Sequence, residues 1–269
     1  MPPVKPDTLP MLVVGYGTMA QAMVQGWLAA GLPPSSLTIY NPRAKPAPDG
    51  AAFITQVPDE PFARVLLAFK PQLLADVAPG LVRCIGADST ILSVLAGVTL
   101  ATLRAHLPGA GAYVRLMPNL AAAIGKSPNA LVATGADAAQ RAAVTQLAQM
   151  LGTAEWLADE MLFDAVTALA GSGPGFVYRF IDSLAKGAAQ LGVPQEQTNR
   201  LALQMVEGAA MLAAASPHDP ATLAARVASK GGMTQAGLDV LDRDGVLNRL
   251  VEDTLRAARD RGRALGEGG

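Results

Sequence analysis

A short apolar run that leads directly into a glycine-rich turn constrains this chain more than any other feature. Residues 12–14, Leu-Val-Val, are followed by Gly-Tyr-Gly-Thr-Met-Ala at residues 15–20, and a helical pattern continues to residue 30. This spacing is the dinucleotide-binding fingerprint, with alanine at the third small position. Gly15 would permit the tight turn, Gly17 would let a pyrophosphate approach, and Ala20 would pack helix on strand. The candidate cofactor contacts are Gly15, Gly17, Thr18, Met19 and Ala20.

The residues after the predicted second strand, 37–40, bear on which dinucleotide binds. An NAD enzyme usually has an acidic residue there for the ribose hydroxyls. This chain has Asn41-Pro42-Arg43 instead. No carboxylate would repel a 2′-phosphate, and Arg43 can pair with one in a bidentate manner. We therefore predict NADPH as the cofactor, with Asn41 and Arg43 among its contacts. NADH is the alternative cofactor, and the alternative role of Arg43 is that of an ordinary surface residue in a loop.

Strand and helix patterns divide the chain into two parts. The first alternates strands with helices at residues 19–30 and 138–150, which favours a mostly parallel sheet covered on both faces. The strands are predicted at residues 12–14, 37–40, 65–69, 90–95 and 113–117, with edge strands at 129–134 and 153–156. After residue 159 only helices are predicted, at residues 161–170, 176–191, 195–215, 221–228 and 246–264, with breaks at 171–175, 192–194 and 217–220. We expect an α/β Rossmann-type domain over residues 1–158 and an all-α domain over residues 159–269.

The composition favours closely packed helices. Hydrophobic residues make up 51% of the 269 and aromatic ones only 4%, so the core volume must come from Ala, Leu, Val and Met. The helical part has long alanine-rich faces with few charges, as in residues 201–215. Such faces either bury against another subunit or pack on the chain's own sheet domain. We favour the first and predict a homo-oligomer.

Charge and cysteine content exclude several classes of protein. A net charge of −1 without a basic run offers nothing for nucleic acid. The single Cys84, read as a half-buried apolar residue, excludes an internal disulfide, and His106 and His218 have no partners at metal-ligand spacing, so no metal is predicted. Residues 8–42 are uncharged, but glycine, glutamine and proline interrupt them, which argues against a membrane span. Residues 1–10 lack the build of a signal peptide, and we expect a cytoplasmic protein.

A second glycine motif lies between the helical patterns at residues 221–228 and 235–241. It reads Ser229-Lys230-Gly231-Gly232-Met233-Thr234. Paired glycines let backbone N–H groups approach a ligand, and the N-terminus of the following helix favours an anion. The loop therefore suits a small carboxylate, with the Thr234 hydroxyl near a reacting atom. Taken alone, a glycine pair between helices is more often only a tight connection.

Several further segments, in order along nearly the whole chain, resemble the pyrroline-5-carboxylate reductase family. The matching segments are Ala-Phe-Lys-Pro-Gln at 68–72, Ser-Val-Leu-Ala-Gly-Val at 93–98, Arg-Leu-Met-Pro-Asn at 115–119 and Thr-Ala-Leu-Ala-Gly-Ser-Gly-Pro at 167–174. This resemblance implies NADPH-dependent reduction of 1-pyrroline-5-carboxylate to L-proline, the last step of proline biosynthesis. It also implies a helical dimerisation domain, interlocked homodimers and their stacking into homodecamers, with each active site between a nucleotide domain and helices near the dimer interface.

The resemblance also assigns roles to individual residues. Cofactor contacts near the ribose and nicotinamide would be Ala68, Phe69, Lys70, Pro71, Ala96 and Gly97. The substrate carboxylate would be received by Ser229, Gly231, Gly232, Met233 and Thr234. Imine reduction needs little acid–base machinery because the cofactor performs the difficult step, so Thr234 is the one catalytic candidate, orienting the ring nitrogen.

The chain departs from the family pattern at a few positions. Leu120 and Ala121 follow Asn119 where the family has threonine and proline, and Lys230 and Met233 replace a proline and a threonine. These positions leave open reduction of another cyclic imino acid, such as a six-membered ring. A non-catalytic nucleotide-binding regulator is the alternative from another class, although such a protein has no need of Ser229 and Thr234.

Overall fold

The computed structural model describes residues 9–267, with side chains to residue 264. Most of the N-terminal stretch for which we predict no signal peptide, residues 1–8, therefore lies outside the described residues, as do the outer ends of both predicted domains. The chain forms two compact units: one contains the residues up to Ser172 and those from Ala258 onward, and the other is Gly173–Ala257. The predicted domain boundary between residues 158 and 159 stays a prediction.

The first unit is built on an eight-stranded sheet. Its strands are β1 (Met11–Val14), β2 (Leu37–Tyr40), β3 (Ala52–Ile54), β4 (Arg64–Leu67), β5 (Thr90–Ser93), β6 (Ala112–Met117), β7 (Ser127–Thr134) and β8 (Gly152–Trp156). Their order is β3-β2-β1-β4-β5-β6-β7-β8, and every neighbouring pair is parallel except β6 and β7. The predicted mostly parallel Rossmann-type sheet is confirmed.

Helices cover both faces of the sheet, which is why its central strands are buried at every position. The helices of this unit are α1 (Thr18–Ala29), α2 (Leu74–Leu81), α3 (Leu100–His106), α4 (Ala138–Leu151) and the four-residue α5 (Phe163–Val166). Alternate residues of β1 enter different cores: Met11 and Val13 pack with α1 and α4, and Leu12 and Val14 pack with α2 and α3. The sheet is therefore packed between two separate apolar cores, one on each face.

A buried charge cluster ties the segment after β8 to the sheet. The Arg115 guanidinium, on β6, donates to Glu160 Oε1 at 2.8 Å and lies over the Phe163 ring at 4.0 Å. The same carboxylate accepts the Leu100 N–H that begins α3. Beyond α5 the chain forms a π-helical turn over Thr167–Gly171, and Asn119 Nδ2 donates to the Ala170 carbonyl at 2.9 Å.

The second unit contains only helices in its described residues. They are α6 (Gly173–Gln190), α7 (Gln195–Ala215), α8 (Pro220–Val227), α9 (Met233–Asp242) and α10 (Val246–Glu267), the last of which continues into the residues counted with the first unit. Large apolar side chains stay exposed on α7, among them Leu201, Leu203, Met211 and Leu212. The predicted all-α region is confirmed.

Several local predictions were wrong. The break predicted over residues 171–175 is shorter, because α6 already begins at Gly173. The strands predicted to residues 69 and 95 end at Leu67 and Ser93, and β3 was not predicted. β7 lies inside the sheet rather than at its edge, and Cys84 is completely buried instead of half-buried. Among the described residues, no helix is both long and apolar enough to cross a membrane.

Candidate active site

Four loops of the first unit meet at one edge of the sheet because their strands end in register. Val14 lies beside Tyr40 and Leu67, and Leu67 lies beside Ser93. The loops that follow β1, β2, β4 and β5 therefore start side by side. In open α/β sheets this carboxyl edge is where ligands bind. All of the predicted cofactor contacts lie in these loops or in the first turn of α1.

The turn after β1 has space for glycine only at its first position. Gly15 has φ +90°, and its N–H donates to the Tyr40 carbonyl at 2.8 Å. A Cβ at Gly15 would lie 2.7 Å from the Ala68 carbonyl oxygen, so any side chain would collide with the loop after β4. The close approach of three strand ends thus depends on the bare backbone at this residue.

Gly17 and the N-terminus of α1 form an open anion cradle. No heavy atom lies within 4 Å of where a Cβ of Gly17 would be. Gly17 is the N-cap of α1 and has no side chain with which to cap the helix. The first turn of α1 contains no acidic residue. The first N–H groups of the helix therefore keep their donors for a ligand, as a pyrophosphate requires. Ala20 is fully buried, which lets α1 pack closely on the sheet. These residues fit a bound dinucleotide.

The loop after β2 closes over the Gly15–Gly17 turn. Asn41 Oδ1 accepts the Tyr16 N–H at 3.3 Å, and Asn41 Nδ2 donates to the Arg43 carbonyl at 2.6 Å. The Lys45 ammonium donates to the Tyr16 carbonyl at 2.8 Å. Burial raises the pKa of the Tyr16 phenol above its ordinary value, so the ring stays neutral. Lys45 was missed in the sequence, where only its place two residues after Arg43 in a proline-bounded loop pointed to it.

The loops after β4 and β5 complete this edge. The Ala68 N–H donates to the Val14 carbonyl at 2.8 Å, and Lys70 is exposed just before the 3-10 turn Pro71–Leu73. Phe69 packs partly against the α2–α3 core. Gly97 has φ +75°, which favours glycine in the turn that leads to α3, and Ala96 and Gly97 are half-buried. The first unit thus brings the predicted cofactor residues to one edge.

The glycine motif of the second unit forms a second uncapped helix start. Gly231 has φ +75°, and the Gly232 N–H donates to the Ser229 carbonyl at 2.8 Å. A Cβ at Gly232, the N-cap of α9, would lie 2.4 Å from Ser229 Oγ. No side chain caps this helix, and its first turn contains no acidic residue. The first N–H groups of α9 and the neighbouring Ser229 and Thr234 hydroxyls therefore suit a carboxylate, as the sequence predicts.

Comparisons with known proteins place the chain in a family. Residues 160–265 match the family model described as pyrroline-5-carboxylate reductase dimerisation. A pyrroline-5-carboxylate reductase of Pseudomonas aeruginosa is 34% identical over 94% of this chain and 96% of its own length. The chain belongs to the pyrroline-5-carboxylate reductase family. A Pisum sativum member is 33% identical, covering 96% of each chain, and a solved Coxiella burnetii member has a TM-score of 0.87 at 27% identity, covering 96% of this chain and 99% of its own.

Membership of the pyrroline-5-carboxylate reductase family confirms the resemblance drawn from the motifs. The roles of individual residues, Thr234 included, stay predictions. Within the described residues, no three His, Cys, Asp or Glu side chains lie close enough together to hold a metal ion. His106 ends α3, and His218 lies in the turn before α8, where its N–H donates to Ser216 Oγ.

Proposed function

We propose that this protein reduces 1-pyrroline-5-carboxylate to L-proline with NADPH. The observation that carries the proposal is that α1 and α9 both begin at a glycine without a side-chain cap. Each helix start keeps N–H groups for an anion, one beside the dinucleotide turn and one beside two hydroxyls. A dinucleotide and a small carboxylate are the two ligands of this reaction. The identity to named pyrroline-5-carboxylate reductases over nearly the whole chain supports the same substrate.

The residues of the first unit have binding roles in this proposal. The α1 N-terminus and Gly17 hold the pyrophosphate, Asn41 and the cations of the same loop hold the adenosine ribose end, and the loops at 68–71 and 96–97 border the other half of the cofactor. When bound, the nicotinamide of NADPH supplies the hydride. A solved Plasmodium falciparum pyrroline carboxylate reductase with NADP bound has the same fold, with a TM-score of 0.79 at 22% identity.

The α9 loop orients the imine. Its backbone N–H groups and the Ser229 hydroxyl hold the carboxylate, and the Thr234 hydroxyl contacts the ring nitrogen. A protonated cyclic imine accepts hydride at carbon directly, and its nitrogen keeps the proton in the product. The protein has therefore to orient the imine and exclude water, and it needs no general base. Thr234 acts as an orienting group, because an ordinary hydroxyl is a poor acid.

We further propose that the protein works as a homodimer and that its dimers stack into homodecamers. The match to the dimerisation family and the exposed apolar side chains of the helical unit support the homodimer, and the homodecamer rests on the family resemblance alone. The cytoplasmic location stays a prediction.

The test is turnover by the purified protein, followed through the absorbance of NADPH. We expect oxidation with 1-pyrroline-5-carboxylate at a higher kcat/KM than with pyrroline-2-carboxylate or piperideine carboxylates, and L-proline as product. A preference for a six-membered ring would instead assign the substrate to the alternative imino acid. Binding of NADPH without oxidation by any of these imines would contradict the proposal and favour a regulator.

A further inference from the structure

We propose that Lys45, more than Arg43, makes this protein select a 2′-phosphorylated dinucleotide. The inference rests on the proposed function, since it assigns the specificity of the same cofactor site. The sequence alone favours Arg43 instead, because its guanidinium can pair with a phosphate in a bidentate manner. The selectivity depends on where each cation is held and on which charges surround it.

The Lys45 ammonium is fixed at the fingerprint turn. Lys45 lies in the segment that joins β2 to β3, and its Nζ donates to the Tyr16 carbonyl at 2.8 Å. Gln21 Nε2 donates to the same oxygen at 3.3 Å. Tyr16 stands between the two glycines of the turn, and its own N–H is bonded to Asn41. The ammonium therefore lies where β1 and β2 end, next to the residue that normally contacts the adenosine ribose.

The positive charge of Lys45 is not neutralised by the part of the chain that the structure describes. No ion pair joins Lys45 to an acidic residue there, and an ammonium has three N–H donors, of which the Tyr16 carbonyl takes one. Two N–H groups of the ammonium therefore remain to bind an anion.

Arg43 is placed less favourably. Lys45 and Arg43 are both exposed, and the Arg43 carbonyl accepts the Asn41 amide, but its guanidinium forms no hydrogen bond or ion pair with any described residue. A free side chain must lose rotamer freedom when it binds a phosphate. The Lys45 side chain has already lost much of this freedom through its bond to Tyr16. Lys45 therefore stabilises the bound phosphate more than Arg43 does.

The chemistry of the ligand explains the selectivity. A 2′-phosphate carries close to two negative charges near neutral pH, whereas the 2′-hydroxyl of the unphosphorylated cofactor is neutral. Charge-assisted hydrogen bonds are roughly twice as strong as neutral ones. NAD enzymes usually have a carboxylate at the position of Asn41, and a carboxylate would repel the phosphate. The neutral amide of Asn41 does not. A fixed ammonium next to this amide therefore favours NADP⁺ over NAD⁺.

The experiment measures binding by calorimetry, with NADP⁺ and NAD⁺ as ligands and without any imine. In Lys45→Gln we expect the Kd for NADP⁺ to rise about tenfold and the Kd for NAD⁺ to stay within about twofold. Arg43→Gln should weaken NADP⁺ by no more than about threefold, because its unbonded side chain must first be ordered. Lys45→Arg should keep most of the preference. Arg83→Gln is the matched control, since it removes one exposed cation, paired with Asp59, from outside the four loops.

The outcomes separate this inference from the proposed function. An unchanged preference for NADP⁺ in Lys45→Gln, or a larger loss in Arg43→Gln, overturns the inference and leaves the proposed reaction intact. Selective binding through Lys45 in a protein that reduces no imine supports the inference and contradicts the proposed function. If the unaltered protein binds neither dinucleotide, both fail. A circular dichroism spectrum like that of the unaltered protein shows that each variant is folded.

Discussion

At the scale of single residues, the two glycines of the Gly15–Gly17 turn are required for different reasons. Gly15 has a positive φ and lies against the Ala68 carbonyl, so it is needed for the fold itself. Gly17 has φ −82° and open space around it, so alanine fits there in the free protein. An alanine side chain at Gly17 would occupy the space through which a ligand approaches the N-terminus of α1. The first glycine is thus required by the fold, and we propose that the second is required for binding.

We therefore predict opposite profiles for two alanine variants. Gly15→Ala should lower the free energy of unfolding by about 1–3 kcal/mol, because the left-handed backbone and the contact with Ala68 are both unfavourable for a side chain. Gly17→Ala should keep the stability within about 1 kcal/mol of the unaltered protein and weaken NADP⁺ at least about tenfold. Urea unfolding and calorimetry provide the two readouts. A destabilised Gly17→Ala protein, or one that binds normally, would contradict the cradle described at α1.

Thr234 is the residue on which the proposed orientation of the imine depends. Its side chain is exposed near the start of α9, so its loss should leave the fold unchanged. Thr234→Ala should lower kcat by about ten- to a hundredfold, the effect of one hydrogen bond to a reacting group. Thr234→Ser keeps the hydroxyl and should recover most of the rate. Normal turnover by Thr234→Ala would remove the orienting role and leave the carboxylate site to be tested by a second variant.

For this reason Ser229→Ala accompanies Thr234→Ala. Ser229 Oγ lies beside the N-cap of α9, where the proposed carboxylate binds. Its loss should raise KM for the imine with little change in kcat, because the carboxylate is held equally in the ground and transition states. A fall in kcat at constant KM would instead place Ser229 at the reacting atoms.

At the scale of secondary-structure elements, α1 is held by its glycine as well as by its apolar face. A Cβ at Gly26 would lie 2.0 Å from the Ala122 carbonyl oxygen, in the 3-10 turn Leu120–Ile124. Here the helix backbone packs directly on the backbone of the turn that follows β6. The residues Leu120 and Ala121, which depart from the family pattern, belong to the same turn. The position of α1, and with it the anion cradle, depends on this contact.

Two glycine-to-alanine changes in helices test this contact. Alanine in a helix is favoured over glycine by about 1 kcal/mol, and a Cβ at Gly80, in α2, would have no heavy atom within 4 Å. Gly80→Ala should therefore raise the free energy of unfolding by about 0.5–1 kcal/mol. Gly26→Ala should lower it by about 1–3 kcal/mol, since the collision outweighs the propensity. Urea unfolding of both variants measures the two changes in the free energy of unfolding. If Gly26→Ala stabilised the protein, the 3-10 turn would move away from α1 at little cost, and the contact would not hold the helix.

The cap of α8 gives the second unit a dependence on pH. Asp219 accepts the Thr222 N–H at 2.7 Å, and this bond holds the pKa of the Asp219 carboxyl below its ordinary value of 3.8. A lowered pKa means that the charged form stabilises the folded state. The contribution is fully present above the unfolded pKa and is lost as the pH falls through the lowered value.

We expect Asp219→Asn to match the unaltered protein in stability at neutral pH and to become the more stable of the two as the pH falls below about 4, the unfolded reference, because only the unaltered protein then loses its charged cap. Asparagine caps helices about as well as aspartate but does not titrate. Thermal unfolding at neutral and acid pH measures the difference, and a carboxyl NMR titration of Asp219 gives its pKa directly. A pKa at or above the ordinary value would contradict the cap as the source of the shift.

At the scale of the whole molecule, the exposed apolar surface of the helical unit predicts association. Leu212 is 65% exposed on α7 and has Leu201, Leu203 and Met211 as exposed apolar residues on the same helix. Leu212→Glu should lower the molar mass measured by light scattering, because a charge at an apolar interface is costly to bury. Asn199→Asp adds one negative charge at an exposed polar position of α7, keeps the oxygen that accepts from Gln195, and is the matched control. A monomeric unaltered protein would contradict the proposed oligomer.

Much of the fold was predictable because it depends on local patterns. The apolar runs at β1, β4 and β5 and the helical pattern of α7 identify their elements within a few residues, and the fingerprint spacing identifies the turn. β3 was missed because three residues without clear alternation carry no periodic signal, and its pairing with β2 supplies the stability that its sequence lacks. Cys84 was placed half-buried because a lone cysteine in a sequence shows nothing of what packs on it.

The amino-acid sequence by itself determined the fold class and the family, and it predicts the residues of a cofactor turn and of a carboxylate loop. These follow from the spacing of glycines, apolar positions and hydroxyls along the chain. Only the tertiary structure decided that Lys45 donates to Tyr16 while the Arg43 guanidinium bonds to no described residue. It also decided that Gly15 and Gly26 lie against carbonyls of distant segments and that Arg115 pairs with Glu160. Such contacts join residues far apart in the chain, so they depend on how the strands and helices pack and not on local preference.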